Sequence, residues 1–349
     1  MKSLLLPLEW GYLSGVKLHR WLYSTGTLRT RTLTKPVVSV GNLTTGGTGK
    51  TPTVIALGRM LLDYGYSISV LLRGYKGAHK GRVLLVSDGR KILANPEMAG
   101  DEALVIARNL PQAVVAVGRN RAEVGKQIEE TFGIELHLLD DGFQHLQLSR
   151  TFDLLLIDTT NPFGGGHLLP VGRLREPLPG AARADAMVLT RTHQGDDYAF
   201  LLKRLKVINS QIPCFKARQK LVFENETTLN VPNSNVSLIG MRVMAFAGIA
   251  NPTQFFDSLH AQRVEVASRL TFQDHHRYSA KDLELIKNKC RLADVEVVVT
   301  TEKDRENLGG LSLEPLRLVV ARVVFGFDEP MRLLDLIRSR IGPKTDSRR

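Results

Sequence analysis

Residues 37–51 read Val-Val-Ser-Val-Gly-Asn-Leu-Thr-Thr-Gly-Gly-Thr-Gly-Lys-Thr, and an apolar-periodic stretch (Val54, Leu57, Leu61) follows. A strand that runs through a glycine-rich turn into a helix grips phosphates. The glycines let successive backbone N–H groups curl around the anion, and the helix N-terminus adds positive potential. Gly46, Gly47, Thr48 and Gly49 are then the cradle, Lys50 reaches the β/γ-phosphates, and the Thr51 hydroxyl faces Mg²⁺. The P-loop pattern places another glycine where this chain has Thr44. A turn that merely caps a helix would leave the placement of Lys50 and Thr51 unaccounted for.

Further polar clusters follow apolar runs. Leu136-His137-Leu138-Leu139 ends in Asp140-Asp141-Gly142-Phe143-Gln144-His145. In P-loop proteins a carboxylate at the end of a buried strand holds Mg²⁺. Neighbouring strand residues point to opposite faces, so Asp140 and Asp141 are expected to do different work, one for the metal, the other for substrate or structure. Asp101 stands where a helix should begin and fits an N-cap. If that helix end opens into the crevice, the same carboxylate could deprotonate an attacking hydroxyl. His275 and His276 lie side by side after Asp274. No Cys or further His stands at ligand spacing, so acid–base or phosphate-contacting service across a cleft suits them better than zinc. Arg73 and Arg119 each follow a strand pattern, and Arg173, Arg175 and Glu176 share a Pro/Gly-rich loop. Arginines so placed suit phosphate charge. Thr301-Glu302-Lys303-Asp304 lacks the spacing of a guanine-reading element.

These groups need a scaffold that brings strand ends together. Val37–Val40, Ile68–Leu72, Val114–Val117, Leu136–Leu139, Leu154–Ile157 and Ala186–Leu189 are short apolar runs, as strands buried on both faces of a parallel sheet should be. Helical patterns alternate with them, as at 53–62 and 102–109. The expectation is an α/β, P-loop NTPase-like doubly wound sheet whose ligand lies outside the carboxyl ends of its strands. A second βα series (Val243–Ala247, Pro252–Leu259, Val295–Thr300) predicts a smaller α/β domain over 225–314. Strands within 213–224 and 315–327 would form a two-stranded tether to the P-loop domain, 31–212. The helix Met331–Ile341, within 328–349, would return to that domain, and Lys344–Arg349 is expected to be a disordered tail.

With 349 residues, 43% hydrophobic and 23% charged, the chain can bury the cores of two domains. Its net charge of +12 points to acidic partners. Nucleic acid is not among them, because no dense Lys/Arg run carries interleaved aromatics. Cys214 and Cys290, far apart and without metal-ligand spacing, fit structural thiols in a reducing compartment. Segment 1–30 is apolar and aromatic, but Pro7, Glu9, Lys17 and Arg20 interrupt the ~20 apolar residues that a transmembrane helix needs. A broken apolar stretch without a small-residue cleavage site disfavours a signal peptide. An interfacial helix with Trp and Tyr anchors is the better expectation, a packed helix the alternative.

Taken together these motifs resemble the tetraacyldisaccharide 4′-kinases of lipid A synthesis, the LpxK family. The resemblance runs from about Leu4 to Asp304. It rests on residues 40–52, Arg-Gly-Tyr (73–75), Gly-Asp-Glu (100–102), Asp-Asp-Gly-Phe-Gln-His (140–145), Leu-Arg-Glu-Pro (174–177), Phe-Ala-Gly-Ile-Ala-Asn-Pro (246–252), Asp-His-His (274–276) and Thr-Glu-Lys-Asp (301–304). Thr44 matches the family, whereas Gln273 replaces its proline. The resemblance implies ATP and Mg²⁺ as cofactors. The acceptor would be an anionic glycolipid, a tetraacyldisaccharide 1-phosphate, at the cytoplasmic face of the bacterial inner membrane, and the enzyme a monomer. It assigns Asp101 to activating the 4′-hydroxyl, His275 as its partner with His276 still open, Thr51, Asp140 and Glu176 to the metal, and Asp141 to a catalytic or substrate contact. A rival expectation is a P-loop ATPase switch resembling the MinD and ParA proteins. Those favour a second lysine early in the loop, which here contains only Lys50.

Overall fold

The structure, a computed structural model, describes residues 2–342 apart from 75, 76, 80, 194 and 227–234. Tyr75 and the Lys344–Arg349 tail lie outside the described residues. Helix α1 (Lys2–Ser24) opens the chain. The P-loop half follows with β1 (Val37–Asn42), α2 (Lys50–Asp63), β2 (Ile68–Leu72), β3 (Leu84–Asp88), α3 (Pro96–Ala99), α4 (Asp101–Asn109), β4 (Val114–Val117), α5 (Arg121–Thr131), β5 (Leu136–Asp140), β6 (Phe152–Asp158), β7 (Ala186–Thr190) and α6 (Ala199–Ile208). The distal half contains β8 (Cys214–Asn225), β9 (Arg242–Ala247), α7 (Pro252–Ala261), β10 (Glu265–Thr271), α8 (Ala280–Ala293), β11 (Val297–Thr301), α9 (Glu302–Asn307) and β12 (Arg317–Phe327). Helix α10 (Pro330–Ile341) ends the described chain and packs Leu333, Leu334 and Ile337 into the same apolar core as α2.

All twelve strands join one sheet in the order β10-β9-β11-β12-β8-β7-β6-β1-β5-β2-β4-β3. The long antiparallel pair of β8 and β12 stands where the tether was expected. It is also hydrogen-bonded on both sides, β8 to β7 and β12 to β11, which makes the sheet continuous. Two strands had no clear sequence signal. β3 pairs antiparallel at one edge, and β10, at the other, alternates exposed with half-buried residues. Edge strands bury too little to read as apolar runs.

Strand register places the chemistry. β1 lies between β5 and β6, with Val40 paired to Asp140, so the P-loop and Asp140-Asp141 leave adjacent strand ends. β2 and β4 neighbour them and end just before Arg73 and Arg119. α2 begins at Lys50 behind Gly49, whose φ of 84° favours glycine. A Cβ at Gly49 would also lie 2.6 Å from the ring of Phe325 on β12, so the linking strand packs directly against the P-loop. Val54, Leu57 and Leu61 of α2 are fully buried, each worth about 1.5–3 kcal/mol relative to exposure.

Candidate active site

A cleft of about 1240 Å³ runs along the strand ends of the P-loop half. Lys50, Thr51, Asp140, Asp141, Arg175 and Glu176 line it, as do Arg73, Arg119 and Arg121. The Lys50 ammonium donates to Asn42 Oδ1 at 3.3 Å and lies 3.7 Å from Asp141 Oδ1. Asp141 sits at φ 51°, a left-handed conformation costing about 1–3 kcal/mol in a non-glycine residue. Arg175 Nη1 donates to both of its oxygens, at 2.8 and 2.9 Å. Burial would push the Asp141 carboxyl up, but Lys50 and Arg175 overcome that and hold it below the usual carboxylate range.

Asp140 differs. It is 5% exposed, and its Oδ1 is buried without a hydrogen-bond partner. Burial, reinforced by the charges of Glu102 and Asp141 and opposed by Lys50 and Arg121, pushes its carboxyl up to about 7. An orphaned acidic oxygen beside the P-loop suits a divalent cation. Glu176 faces the same cleft but is already engaged. Arg183 donates to both of its oxygens at 2.6 Å, and Gln144 Nε2 donates to Oε1 at 2.8 Å. Among the described residues no group of three His, Cys, Asp or Glu side chains is arranged to hold a metal. A cation here therefore needs Thr51, phosphate oxygens and water beside Asp140, the mixed shell that Mg²⁺ favours.

At the far rim, Gly100 and Glu102 border the cleft and Asp101 lies between them. Asp101 is not the N-cap that its sequence position suggests. Gly100 occupies that place, and the Asp101 side chain, first in the helix, accepts from Glu102 N at 2.8 Å through Oδ1. Its Oδ2 lies 2.7 Å from His275 Nδ1. A carboxylate can only accept, so Nδ1 carries the proton. Burial pushes the Asp101 carboxyl up, yet His275 and Lys303 outweigh it and the net direction is down. The hydrogen bond to Asp101 raises the His275 imidazole above its ordinary range. His276 takes a different role. It stacks on Phe272 and lies 3.2 Å from Asp282, at the start of α8.

Of the groups chosen from sequence, the structure gathers Lys50, Thr51, Asp140, Asp141 and Glu176 along one cleft and brings His275 to Asp101. Arg73 and Arg119 border the cleft as exposed side chains. Sequence reasoning passed over Arg121, two residues beyond Arg119. It is 3% exposed and donates to the Asp141 carbonyl at 3.3 Å. Arg175, expected to meet phosphate charge, is instead bound to Asp141. Asn42 and Gln144 lay inside recognised motifs without a role. Their signal was position beside a strand end. Arg183, stacked 3.7 Å over Phe143, had none.

A family model described as tetraacyldisaccharide-1-P 4′-kinase, LpxK, matches residues 1–342. A tetraacyldisaccharide 4′-kinase of Pelobacter propionicus is 38% identical over 341 residues, 97% of this chain and 92% of that protein. Another, of Syntrophus aciditrophicus, is 39% identical over 85% of this chain and 82% of its own length. Among solved structures, LpxK of Aquifex aeolicus in complex with ATP matches with a TM-score of 0.79 at 30% identity, covering 98% of this chain and 99% of that one.

Proposed function

The chain belongs to the tetraacyldisaccharide 4′-kinase family, and from the geometry of its cleft we propose how it moves the γ-phosphate of ATP to the 4′-hydroxyl of a tetraacyldisaccharide 1-phosphate. It is a kinase of lipid A biosynthesis that uses ATP. The observation that carries the mechanism is one cleft lined by Lys50, Thr51 and Asp140, whose Oδ1 is orphaned, with the Asp101–His275 pair just behind the bordering Gly100 and Glu102.

Gly46, Gly47, Thr48 and Gly49 cradle the triphosphate, Lys50 bridges its β- and γ-phosphates, and Arg73 and Arg119 neutralise charge from the open side. Asp140 and Thr51 would hold Mg²⁺, with Glu176 beside them in the cleft, bound here to Arg183. The ion would supply neutralisation of phosphate charge. Asp141, fixed by Arg175, keeps Lys50 aimed along the cleft. A sugar hydroxyl is a weak nucleophile. Asp101, oriented by His275, accepts its proton as the new oxygen–phosphorus bond forms and the β–γ bridge breaks. The depressed acidity range of Asp101 keeps it ionised at neutral pH and suits late proton transfer. Because the pair spans the two halves, catalysis proceeds with those halves, the P-loop domain and the smaller α/β domain, closed on each other.

No helix among the described residues is long and apolar enough to cross a membrane. Helix α1 is held to the body by Glu9, which accepts from Leu168 N at 2.6 Å, and by Tyr12, which donates to the Arg175 carbonyl at 2.9 Å. Leu8, Trp10, Leu18 and Trp21 remain exposed on it. Together with the net charge of +12 they support an interfacial anchor on the anionic cytoplasmic face of the inner membrane, beside a cleft that α1 borders. The acting unit is the monomer, since one chain supplies every group in the cleft. The test is thin-layer phosphorylation of detergent-dispersed tetraacyldisaccharide 1-phosphate with γ-labelled ATP and Mg²⁺. Labelled lipid that vanishes with Lys50→Ala is expected. Free phosphate without labelled lipid would refute the transfer step.

A further inference from the structure

The Thr301–Asp304 turn and α9 have no place in the phosphate-binding apparatus, yet they bind the segments that carry both members of the Asp101–His275 pair. Asp304 is 0% exposed. Its Oδ1 accepts from Gly248 N at 2.8 Å and from the Tyr278 hydroxyl at 2.7 Å, and its Oδ2 accepts from the Thr301 hydroxyl at 2.6 Å. Gly248 in turn accepts the backbone N–H of His275 through its carbonyl at 2.9 Å. Asp304 thus fastens the histidine loop on both sides, at Gly248 and at Tyr278. A Cβ on Gly248 would lie 2.9 Å from the Gln273 carbonyl and 3.0 Å from Asp304 Oδ1, so only glycine lets the three segments approach this closely. The fastening holds His275 at φ 62°, a conformation that persists only where its surroundings enforce it. The same short helix grips the other partner. Lys303 Nζ lies 2.6 Å from Glu102 Oε1, one residue after Asp101, and Glu302 Oε1 accepts from Asn109 at the far end of α4 at 2.7 Å.

We propose that Asp304 and Lys303, set side by side on α9, are positioning residues that hold His275 and Asp101 in register across the two halves. Asp304 fixes where the imidazole stands, and Lys303 with Glu302 fixes the helix that carries the carboxylate. Neither reaches the reacting atoms. This rests on the assignment of Asp101 as the group that accepts the hydroxyl proton, and a misplacement of ~1 Å in such a group costs on the order of a hundredfold.

The experiment is a set of cycles in the full-length enzyme, with Asp304→Ala, Asp304→Asn and Tyr278→Phe each made in the native and in the Asp101→Ala background. Asp304→Ala should lower kcat about ten- to a hundredfold with KM for ATP within about twofold. In the Asp101→Ala background the same change should cost less than about twofold, because no carboxylate remains to be aligned. Asn keeps an acceptor for Gly248 N–H and the Tyr278 hydroxyl, so kcat should recover to within about threefold of native. Should Asp304→Ala not fold, Tyr278→Phe removes one donor, keeps the ring, and should lower kcat about threefold with the same disappearance in the Asp101→Ala background. The imidazole titration of His275, followed by NMR, should fall back toward its ordinary range in Asp304→Ala. Equal losses in both backgrounds, or an unmoved titration, would overturn the proposal. If Asp101→Ala is itself inactive while Asp304→Ala is native-like, only the positioning role fails. If Asp101→Ala keeps native kcat, the base assignment fails and takes this role with it.

Discussion

The side of the cleft proposed to bind phosphate draws Lys50, Thr51, Asp140, Asp141 and Arg175 from one half of the sheet, whereas the side proposed to receive the acceptor joins Asp101 to a histidine 174 residues away in the other. On the first side adjacent strands fix the geometry. β1 and β5 are hydrogen-bonded in register up to the residues that act, and the charges there are already paired: Asp141 with Arg175 and Lys50, Glu176 with Arg183. On the second side no strand pairing sets the distance. It depends on how α4 meets α9 and on a loop held in a left-handed conformation. One side is thus preorganised by the sheet, and the other exists only while two halves stay docked. On the proposed assignment, the first side would hold phosphate on a preformed surface and the second would be completed by docking of the two halves.

If the comparison holds, substitutions on the two sides should fail in different parameters. Lys50→Ala should have the largest effect, on the order of 10³-fold in kcat, because it removes the cation at the start of α2 and leaves Asp141 to Arg175 and Arg121. ATP affinity should fall with it, measured by equilibrium dialysis. Asp101→Ala comes next, at about 10²-fold in kcat with ATP affinity within about twofold. Equal loss of both in Asp101→Ala would erase the distinction between the sides. The ion pair gives a sharper readout. His275 is raised above its ordinary range by Asp101, so the stabilisation it brings is complete below about 6.5 and lost as pH rises through the raised value. Asp101, lowered, loses its share only in acid. The docked form should therefore be tightest between about pH 4 and 6.5 and loosen above it, which hydrogen exchange at α9 would show.

The same contrast explains what could be read from the sequence. β2 and β4 emerge with the boundaries that their apolar runs mark, and the P-loop, Asp140 and Asp141 stand where strand-end logic puts them. Each depends on neighbours close in sequence or on a parallel register that apolar runs reveal. The cap of α4 does not, because Gly100 at φ 82° takes the place that Asp101 would fill on composition alone. Nor did spacing separate Arg119 from the buried Arg121, since burial there depends on how α5 sits against β2 and β4. That His275 and not His276 meets Asp101 was equally hidden. It follows from a loop that Asp304, 29 positions from His275, fastens at Gly248, and from the stacking of His276 on Phe272.

Proton competition at the proposed metal position should give a smaller effect than either substitution. With the Asp140 carboxyl raised to about 7, a proton occupies the position that a cation needs below that pH. The half-saturating Mg²⁺ concentration should rise about tenfold between pH 8 and pH 6, and the dependence should disappear in Asp140→Asn. A dependence that survived in Asp140→Asn would move the metal elsewhere, Glu176 being the next acid along the cleft.

The smallest effect should come from α1, which borders the cleft beside Arg175 and Glu176 and is proposed to anchor it at the lipid surface. Trp10 is 67% exposed and Trp21 57%, so replacing both by Ser removes little packing from the fold. Thermal stability and KM for ATP should stay unchanged. The same pair of changes should raise KM for acceptor lipid presented in anionic vesicles about fivefold, and for detergent-dispersed lipid scarcely at all, because only the vesicle offers an interface for the indoles to enter. Equal effects in both presentations would mean that the helix shapes the cleft rather than anchoring it. That outcome is physically open, since Glu9 and Tyr12 tie α1 to the loop that carries Arg175, and through Arg175 to Asp141. The anchor and the phosphate side would then be coupled through one arginine, and Trp10→Ser with Trp21→Ser would lower kcat as well as lipid binding.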